Sequence, residues 1–250
     1  MINYYYQPHY QFRDMENPIM SFQMVHMEIA YRLLELFPQI EHAPEFILGS
    51  VAPDSVHMSP HYDVAMKVSS HMFEGCGKWS DTQDYPRWRQ NINNTFSNRI
   101  DGKERSGYRD FILGLCVHCL TDYWNDLHIW RELQSRFIPP MSLDAFKSAY
   151  YPEARGTDLW LYQNSKNTGA IRDMLSKAAA FDVTGLVNKA NVEKQQDHLL
   201  NVQYTADKVD PSNYHLLSTD MIEQFIKNTV IIIFPTIMKW NMDAQNGGLL

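Results

Sequence analysis

The residues with the clearest chemical potential are His118 and Asp122, which lie four positions apart in a stretch of helical character. On an α-helix, side chains at positions i and i+4 share a face, so this imidazole and this carboxylate can reach one cation. Such ligands together suit zinc, and other divalent transition metals also accept them. The pair therefore predicts a metal site, with a surface ion pair or a core histidine as the alternatives.

Another histidine, His128, follows Asp122 by six residues. At about 100° per residue, an unbroken helix would point His128 well away from His118. His128 would share the same site only if the helix bends or ends near Asn125 and Asp126. In a continuous helix, His128 would bind a separate metal or none.

Most of the ten histidines fall in or beside predicted helices with acidic neighbours. Clustering of this kind is what a site with several metals needs, because one aspartate can bridge two cations about 3.5–4 Å apart. The clustered histidines are His26, His57, His61, His71, His118 and His128. Among them, His57 follows Asp54 by three residues and is either an extra ligand, a residue that orients a ligand, or a solvated turn histidine.

Helices are the elements that must position these side chains. Apolar residues recur every three or four positions from 17 to 37, which predicts a helix that carries His26 and ends at Pro38. A short helix follows Pro44 and ends before Pro53, since proline disfavours helical geometry in the preceding residue. Further helices are predicted at 87–99, from 105 through 118 and beyond, and at 158–177, 183–200 and 219–240. Long alternating strand patterns are absent, so we expect an all-α bundle.

Length and composition favour an ordinary globular chain. We expect one helical domain over residues 1–250, with an N-terminal extension at 1–15, a metal-site half at 16–135 and C-terminal helices at 140–245. A formal charge of −7 argues against a nucleic-acid partner, since phosphates would repel the chain. Three cysteines do not suggest a secreted disulfide framework.

The ends of the chain show no targeting signal. The N-terminus lacks the basic start and the apolar run of a secretory signal peptide. The best apolar stretch, 230–238, is shorter than the ~20 residues that span a bilayer and contains Pro235. We therefore expect a cytoplasmic protein without a transmembrane helix, whose C-terminal helix is buried and kinked.

Four short motifs occur in an order that resembles the zinc-dependent phospholipase C family. They are Val25-His26-Met27-Glu28-Ile29, the run from Gly49 to Asp54, Ser70-His71, and His118-x3-Asp122-x5-His128. That family includes bacterial phospholipases C and the catalytic part of glycosylphosphatidylinositol-specific phospholipase D, and fungal single-strand nucleases share its helical fold. The resemblance covers residues 26 to 128 and implies an all-α bundle of this type.

The resemblance also implies roles for individual residues. His71 and His118 would bind one zinc ion, Asp122 would bridge it to a second zinc held by His26, and His128 would begin a third site. Asp54 would contact the metal or its water and act as the general base or orienting group. The implied reaction is hydrolysis of a phosphodiester by a zinc-bound hydroxide.

The sequence departs from the family pattern at two places. No tryptophan precedes Trp79, although secreted members use an N-terminal tryptophan as a ligand. No histidine occurs between His128 and His198, where the third site would need one. Asp144, Glu153 or Asp158 are the candidate substitutes. We expect two or three metal ions, and two fit these departures better.

Three functions follow as hypotheses. The first is a phospholipase C-like hydrolase acting on a small phosphoester or a phospholipid head group. The second is a non-catalytic helical metal-binding or regulatory protein with an incomplete site, and the third is a nuclease, which the acidic balance disfavours. Lys67 and Arg87 could balance a substrate phosphate, although a solvated helix face is the commoner explanation for isolated cations.

Overall fold

The computed structural model describes residues 22–99 and 107–246 of the chain. These ranges contain ten α-helices and one antiparallel pair of two-residue strands, β1 (Gly77–Lys78) and β2 (Asp81–Thr82). The helices are α1 (Gln23–Leu36), α2 (Ala43–Gly49), α3 (Val64–Ser70), α4 (Tyr85–Arg99), α5 (Tyr108–Asn125), α6 (Arg131–Phe137), α7 (Leu143–Asn164), α8 (Thr168–Lys177), α9 (Lys189–Asn201) and α10 (Thr219–Asn246). The predicted all-α fold is thus confirmed, whereas the expected extension at 1–15 lies outside the described residues.

Two short irregular helices matter for the site. A 3-10 segment, Ala52–Met58, follows α2 and begins with Pro53 in its first turn. A π-helical turn, Asp126–Trp130, joins α5 to α6. The helical path therefore continues past Asn125, but with a wider turn than an α-helix has.

The helix predicted at 158–177 is two helices in the structure, α7 and α8. The break is stabilised by a buried carboxylate on α1, Glu28, which accepts hydrogen bonds from Ser165 Oγ at 2.9 Å and Asn167 Nδ2 at 2.8 Å. Hydrophobic periodicity cannot reveal a turn that depends on so distant a partner. Likewise, α9 begins only at Lys189, because the Asn188 side chain caps it by accepting the backbone N–H of Ala190 at 2.9 Å.

Helix α5 lies at the centre of the core, and nearly all its side chains from 110 to 121 are buried. It packs very closely on α2 at two glycines. A Cβ atom at Gly114 would lie 2.2 Å from the carbonyl oxygen of Phe46, and one at Gly49 would lie 2.2 Å from that of Phe111. Only glycine permits this approach, which places the end of α2 directly beside the ligand-bearing part of α5.

The C-terminal helix α10 is longer than the apolar stretch at 230–238 indicates. It continues through Pro235, and its segment Thr219–Met242 is long and apolar enough, at a mean hydropathy of 1.3, to cross a membrane. The apolar stretch alone indicates too short a helical segment, because the helix extends beyond it on both sides. In the structure α10 packs one face on the core, where the Trp240 ring stacks on Phe96 at a centroid distance of 4.8 Å.

Candidate metal centre

Five of the predicted ligands converge at one place in the fold. They are His26 from α1, Asp54 from the 3-10 segment, His71 at the end of α3, and His118 and Asp122 from α5. Asp122 contacts all three imidazoles: its Oδ1 lies 3.3 Å from His26 Nε2, and its Oδ2 lies 3.4 Å from His71 Nε2 and 3.5 Å from His118 Nε2. The carboxylate therefore faces one histidine with one oxygen and two histidines with the other.

Asp54 contacts the same cluster from the 3-10 segment. Its Oδ1 lies 3.3 Å from His71 Nε2, and its Oδ2 lies 4.0 Å from His118 Nε2. Two overlapping groups of possible metal ligands result, one formed by His26, His118 and Asp122 and the other by Asp54, His71 and His118. The donors are the imidazole and carboxylate groups that suit a divalent transition metal.

Backbone carbonyls fix the orientation of two imidazoles. His118 Nδ1 lies 2.8 Å from the carbonyl oxygen of Ser50, and His71 Nδ1 lies 3.0 Å from that of Lys67. A carbonyl oxygen only accepts, so each Nδ1 carries the proton and each neutral ring presents a bare Nε2.

These two Nε2 atoms lie 3.3 Å apart, with carboxylate oxygens beside them. Acceptors that face each other need either an additional proton or a cation between them, so the residues fit a bound metal ion.

The protonation states also suit metal binding. Burial lowers the pKa of His71 to about 4 despite the nearby Asp54, and burial together with His118 lowers the pKa of His26. Burial alone would raise the pKa of Asp122, but His118 and His26 outweigh it and hold that pKa far below its usual range. Two neutral imidazoles and an ionised carboxylate are the forms that bind metals.

His118 differs from the other two histidines. Burial alone would lower its pKa, but Asp122 and Asp54 outweigh burial and raise it. In the absence of a metal, His118 is therefore the ring that most readily takes up a proton within the cluster.

A chain of buried amides fixes Asp54. Gln23 Nε2 donates to Asp54 Oδ2 at 2.6 Å, and Gln195 Nε2 donates to Gln23 Oε1 at 3.1 Å and to the carbonyl oxygen of Val51 at 2.8 Å. Because Gln195 occupies the oxygen of Gln23, the Gln23 amide nitrogen must face Asp54. These residues hold the carboxylate with its Oδ1 towards His71.

Asp158 holds the beginning of α1, the helix that carries His26. Phe22 precedes this helix in a left-handed conformation with φ 66° and no capping side chain, and Asp158 Oδ1 accepts the N–H of Val25 at 3.1 Å instead. The Tyr204 hydroxyl donates to Asp158 Oδ2 at 2.9 Å. Burial raises the pKa of Asp158 to about 7, against the lowering effect of these hydrogen bonds.

The cluster borders a cavity of about 390 Å³. His26, Asp54 and Asp122 line it together with aromatic side chains that include Trp79, Trp130 and Tyr151. This volume lies within the range of small-molecule sites.

Lys67 also lines the cavity, whereas a solvated helix face was the favoured interpretation of this residue from the sequence. Its Nζ lies 3.5 Å from Asp54 Oδ1 and 4.6 Å from the centroid of the Trp79 ring. Burial alone would lower the pKa of Lys67, but Asp54 and Asp122 outweigh it and raise the pKa. The spacing from Lys67 to His71 is the i, i+4 signal that could have placed both side chains on one face.

The other predicted histidines lie at or outside the edge of the cluster. His57 lines the cavity with its Nε2 3.9 Å from Asp54 Oδ1, and its ring packs on Tyr62 at 4.3 Å. Burial lowers the pKa of His57. This position fits a residue that orients Asp54. His61 is exposed.

His128 does not join the cluster. It is exposed and stacks on Trp124 at a centroid distance of 5.3 Å, because the helical path continues through the π-turn instead of ending near Asn125. The expected start of a third site is thus displaced from the five converging residues.

The candidate substitutes for the third site are also placed elsewhere. Glu153 accepts backbone N–H groups from residues 215 to 217, Asp158 caps α1, and Asp144 is exposed at the start of α7. Within residues 22–99 and 107–246, the structure therefore places none of these three in either group of possible metal ligands.

Comparison of the chain with family models, curated proteins and solved structures yields no match. The geometry of the site and the order of its motifs are therefore the support for a function of this chain.

Proposed function

We propose that this chain is a metal-dependent hydrolase of phosphodiesters, similar to the zinc-dependent phospholipases C. The observation that carries the proposal is Asp122, whose two oxygens contact three imidazoles, two of which present an unprotonated Nε2. Bound divalent cations would supply Lewis-acid chemistry, lowering the pKa of water and neutralising phosphoryl oxygens. Zinc is the ion that this donor set favours.

The roles of the protein groups follow from their positions. His26, His71, His118 and Asp122 would hold the cations, since their donor atoms converge within one cluster. Asp54 would orient the attacking water and accept its proton, because it lines the cavity and Gln23 fixes its Oδ2 while its Oδ1 lies beside His71 and Lys67. The substrate would be a small phosphoester or a phospholipid head group.

The test is hydrolysis of bis(p-nitrophenyl) phosphate by the purified chain, first stripped of metal and then loaded with zinc. We expect turnover that requires zinc and is lost in Asp122→Asn, since that change removes the charge shared by three histidines. The matched control is Asp173→Asn, the same change at an exposed ion pair with Lys177 on α8. Absence of turnover in the zinc-loaded wild type, or full turnover in Asp122→Asn, would overturn the proposal.

A second candidate is a non-catalytic metal-binding or regulatory protein, and one observation favours it. The third set of ligands is incomplete among the described residues, since His128 is exposed. Elemental analysis after native purification separates the two functions. Less than one metal per chain favours the non-catalytic protein, and two metals per chain favour the hydrolase.

A nuclease is the remaining candidate within the same chemistry. Trp79, Trp130 and Tyr151 line the cavity, and aromatic rings stack on nucleobases. The net charge of −7 opposes binding of a polyanion. Degradation of a single-stranded oligonucleotide faster than hydrolysis of a soluble phosphodiester would favour this function.

A further inference from the structure

The ammonium group of Lys67 is the one charged feature of the cavity wall on α3, and the proposed hydrolysis assigns it no role. Its side chain is only 18% exposed. It has two partners that compensate for this burial, Asp54 Oδ1 at 3.5 Å and the face of the Trp79 ring at 4.6 Å. Phe73 and Trp88 pack edge-to-face against that ring, with centroids 5.3 and 6.1 Å from that of Trp79.

Lys67 and a divalent cation compete for the same carboxylate. Asp54 belongs to one of the two groups of possible metal ligands, together with His71 and His118. Once Asp54 binds a cation, its negative charge is no longer available to neutralise the ammonium group a few ångströms away. The ammonium is then left beside a cation and an aromatic face, which disfavours it in a poorly solvated cavity.

A bound anion removes this conflict. The aromatic rings offer Lys67 no negative charge. Of the other carboxylates that line the cavity, Asp122 is itself a predicted metal ligand and Asp126 accepts a hydrogen bond from the Tyr85 hydroxyl, and the lining also includes Arg155 on α7, a second cation. A phosphoryl group placed between the cluster and Lys67 would replace the charge of Asp54 and contact a donor that is already positioned. Lysine is a common ligand for phosphate, acting as a point charge.

We propose that Lys67 is the residue that binds the phosphoryl group of the substrate, and that it changes partner from Asp54 to a phosphoryl oxygen when the cluster holds cations. The proposal rests on the proposed function for its ligand class, a phosphate ester. Cation binding and phosphate binding would then reinforce each other. A cation on Asp54 frees Lys67 for phosphate, and phosphate on Lys67 frees Asp54 for the cation.

The test measures zinc affinity by competition with a chelator, with and without inorganic phosphate, in the full-length chain. In the wild type we expect phosphate to tighten zinc binding by about tenfold, within the range of typical coupling between sites. In Lys67→Met we expect tighter zinc binding without phosphate, because the competing charge is gone, and a clearly smaller tightening when phosphate is added, because phosphate then contacts only the cations. Lys67→Arg, which keeps the charge, should retain coupling.

Lys78→Met is the matched control, since Lys78 is exposed on β1, eleven residues further along the chain, and loses the same charge. It should behave as the wild type does. Melting curves identify any variant that fails to fold, and Lys67→Gln then replaces Lys67→Met. Undiminished coupling in a folded Lys67→Met or Lys67→Gln variant, or no coupling in the zinc-binding wild type, would overturn the role of Lys67.

Two substrates distinguish the sources of the phosphoryl group. Lys67→Met should raise KM for bis(p-nitrophenyl) phosphate and for dihexanoyl phosphatidylcholine alike if both use this contact, and the better substrate of the wild type identifies the source. If the wild type binds zinc and shows coupling but hydrolyses neither substrate, the anion site at Lys67 is supported and the proposed hydrolase function is overturned. If the wild type hydrolyses either substrate and KM is unchanged in Lys67→Met, the anion site at Lys67 is overturned and the hydrolase function is supported.

Discussion

Single residues decide which atoms of the cluster are available to a metal. His71 and His118 each use Nδ1 to reach a backbone carbonyl, and in His118 that carbonyl belongs to Ser50, 68 residues earlier in the chain. A metal-binding histidine is commonly oriented by a hydrogen bond to its other ring nitrogen. The cluster therefore depends on the path of the backbone after α2 as much as on the ligands themselves.

Gln23 tests whether the groups behind the ligands matter. Gln23→Met removes the 2.6 Å hydrogen bond to Asp54 Oδ2 at nearly constant volume. We expect zinc affinity to fall by about 10- to 100-fold, the usual effect of losing a residue that orients a metal ligand. Chelator competition on the purified variant measures the change.

Gln196→Met is the control for this prediction. Gln196 donates to the carbonyl oxygens of Leu175 and Ala178, so this change also removes amide hydrogen bonds, but on α9 away from the cluster. It should leave zinc affinity unchanged. Equal affinities in wild type and Gln23→Met would show that Asp54 does not need this partner.

The sequence allowed the ligands to be proposed but not their supports. The four-residue spacing of His118 and Asp122, and the ordered motifs at His26, Asp54 and His71, name the five residues that converge. Gln23 and Gln195 were not assigned to the site because their partners lie on other elements, and Lys67 was named only as a possible partner of a substrate phosphate. An isolated amide in a helix carries no signal of burial in its own spacing.

At the scale of elements, the contact between α2 and α5 sets the position of His118 and Asp122. Gly114→Ala would place a Cβ atom 2.2 Å from the carbonyl oxygen of Phe46, and backbone atoms cannot move aside cheaply. We expect a loss of about 1–3 kcal/mol in the free energy of unfolding, as in other overpacked cores. Urea denaturation measures this loss.

Gly169→Ala is the matched control, because nothing lies within 4 Å of a Cβ atom at this position on α8. This variant should be as stable as the wild type or slightly more stable, since alanine favours the helix. A Gly114→Ala variant that is as stable as Gly169→Ala would contradict the close packing of α2 and α5.

The cap on α1 gives a pH dependence. The pKa of Asp158 is about 7 in the folded protein and 3.8 in the unfolded chain. Between pH 4 and pH 7 the folded state therefore binds a proton that the unfolded state does not bind. Its contribution to stability is therefore complete below about pH 4 and is lost as pH rises through 7. As pH rises over this window, we expect the free energy of unfolding of Asp158→Asn to increase relative to that of the wild type, by up to about 1 kcal/mol per pH unit.

Urea denaturation of metal-free protein at several pH values measures that difference. The asparagine variant lacks the titrating group, so histidines and other carboxylates cancel when the two curves are subtracted. A difference that is constant from pH 4 to pH 7 would show that Asp158 has an ordinary pKa.

The helical elements were largely accessible from the pattern of apolar residues, and the all-α class followed from it. What the pattern could not give was the break between α7 and α8, which Glu28 stabilises from α1, or the start of α7 before Pro152. Both depend on contacts between elements that are far apart in sequence. Hydrophobic periodicity reports which face of a segment is buried, and it does not report what that face meets.

At the scale of the whole molecule, the cluster joins elements that no covalent crosslink connects. Its ligands come from α1, the 3-10 segment, the end of α3 and α5, so a bound cation would tie the first half of the fold together. An ion that binds only the folded state stabilises it by about 2.7 kcal/mol at a concentration 100 times its dissociation constant. We therefore expect zinc to raise the melting temperature and a chelator to reverse the change.

Asp122→Asn should abolish most of this zinc-dependent shift, and Asp173→Asn should keep it. Differential scanning calorimetry of the three proteins, with and without zinc, provides the comparison. An unchanged melting temperature of the wild type would favour the non-catalytic alternative with an unused cluster.

The π-turn at Asp126–Trp130 has a consequence for how the chain tolerates insertions and deletions. A π-helical turn holds one more residue per hydrogen-bonded ring than an α-helical turn, so it can lose one residue and still continue as a regular helix into α6. The same deletion between His118 and Asp122 would rotate one ligand by about 100° relative to the other. Changes in length are therefore best accommodated immediately after the ligand-bearing helix, where the exposed His128 lies.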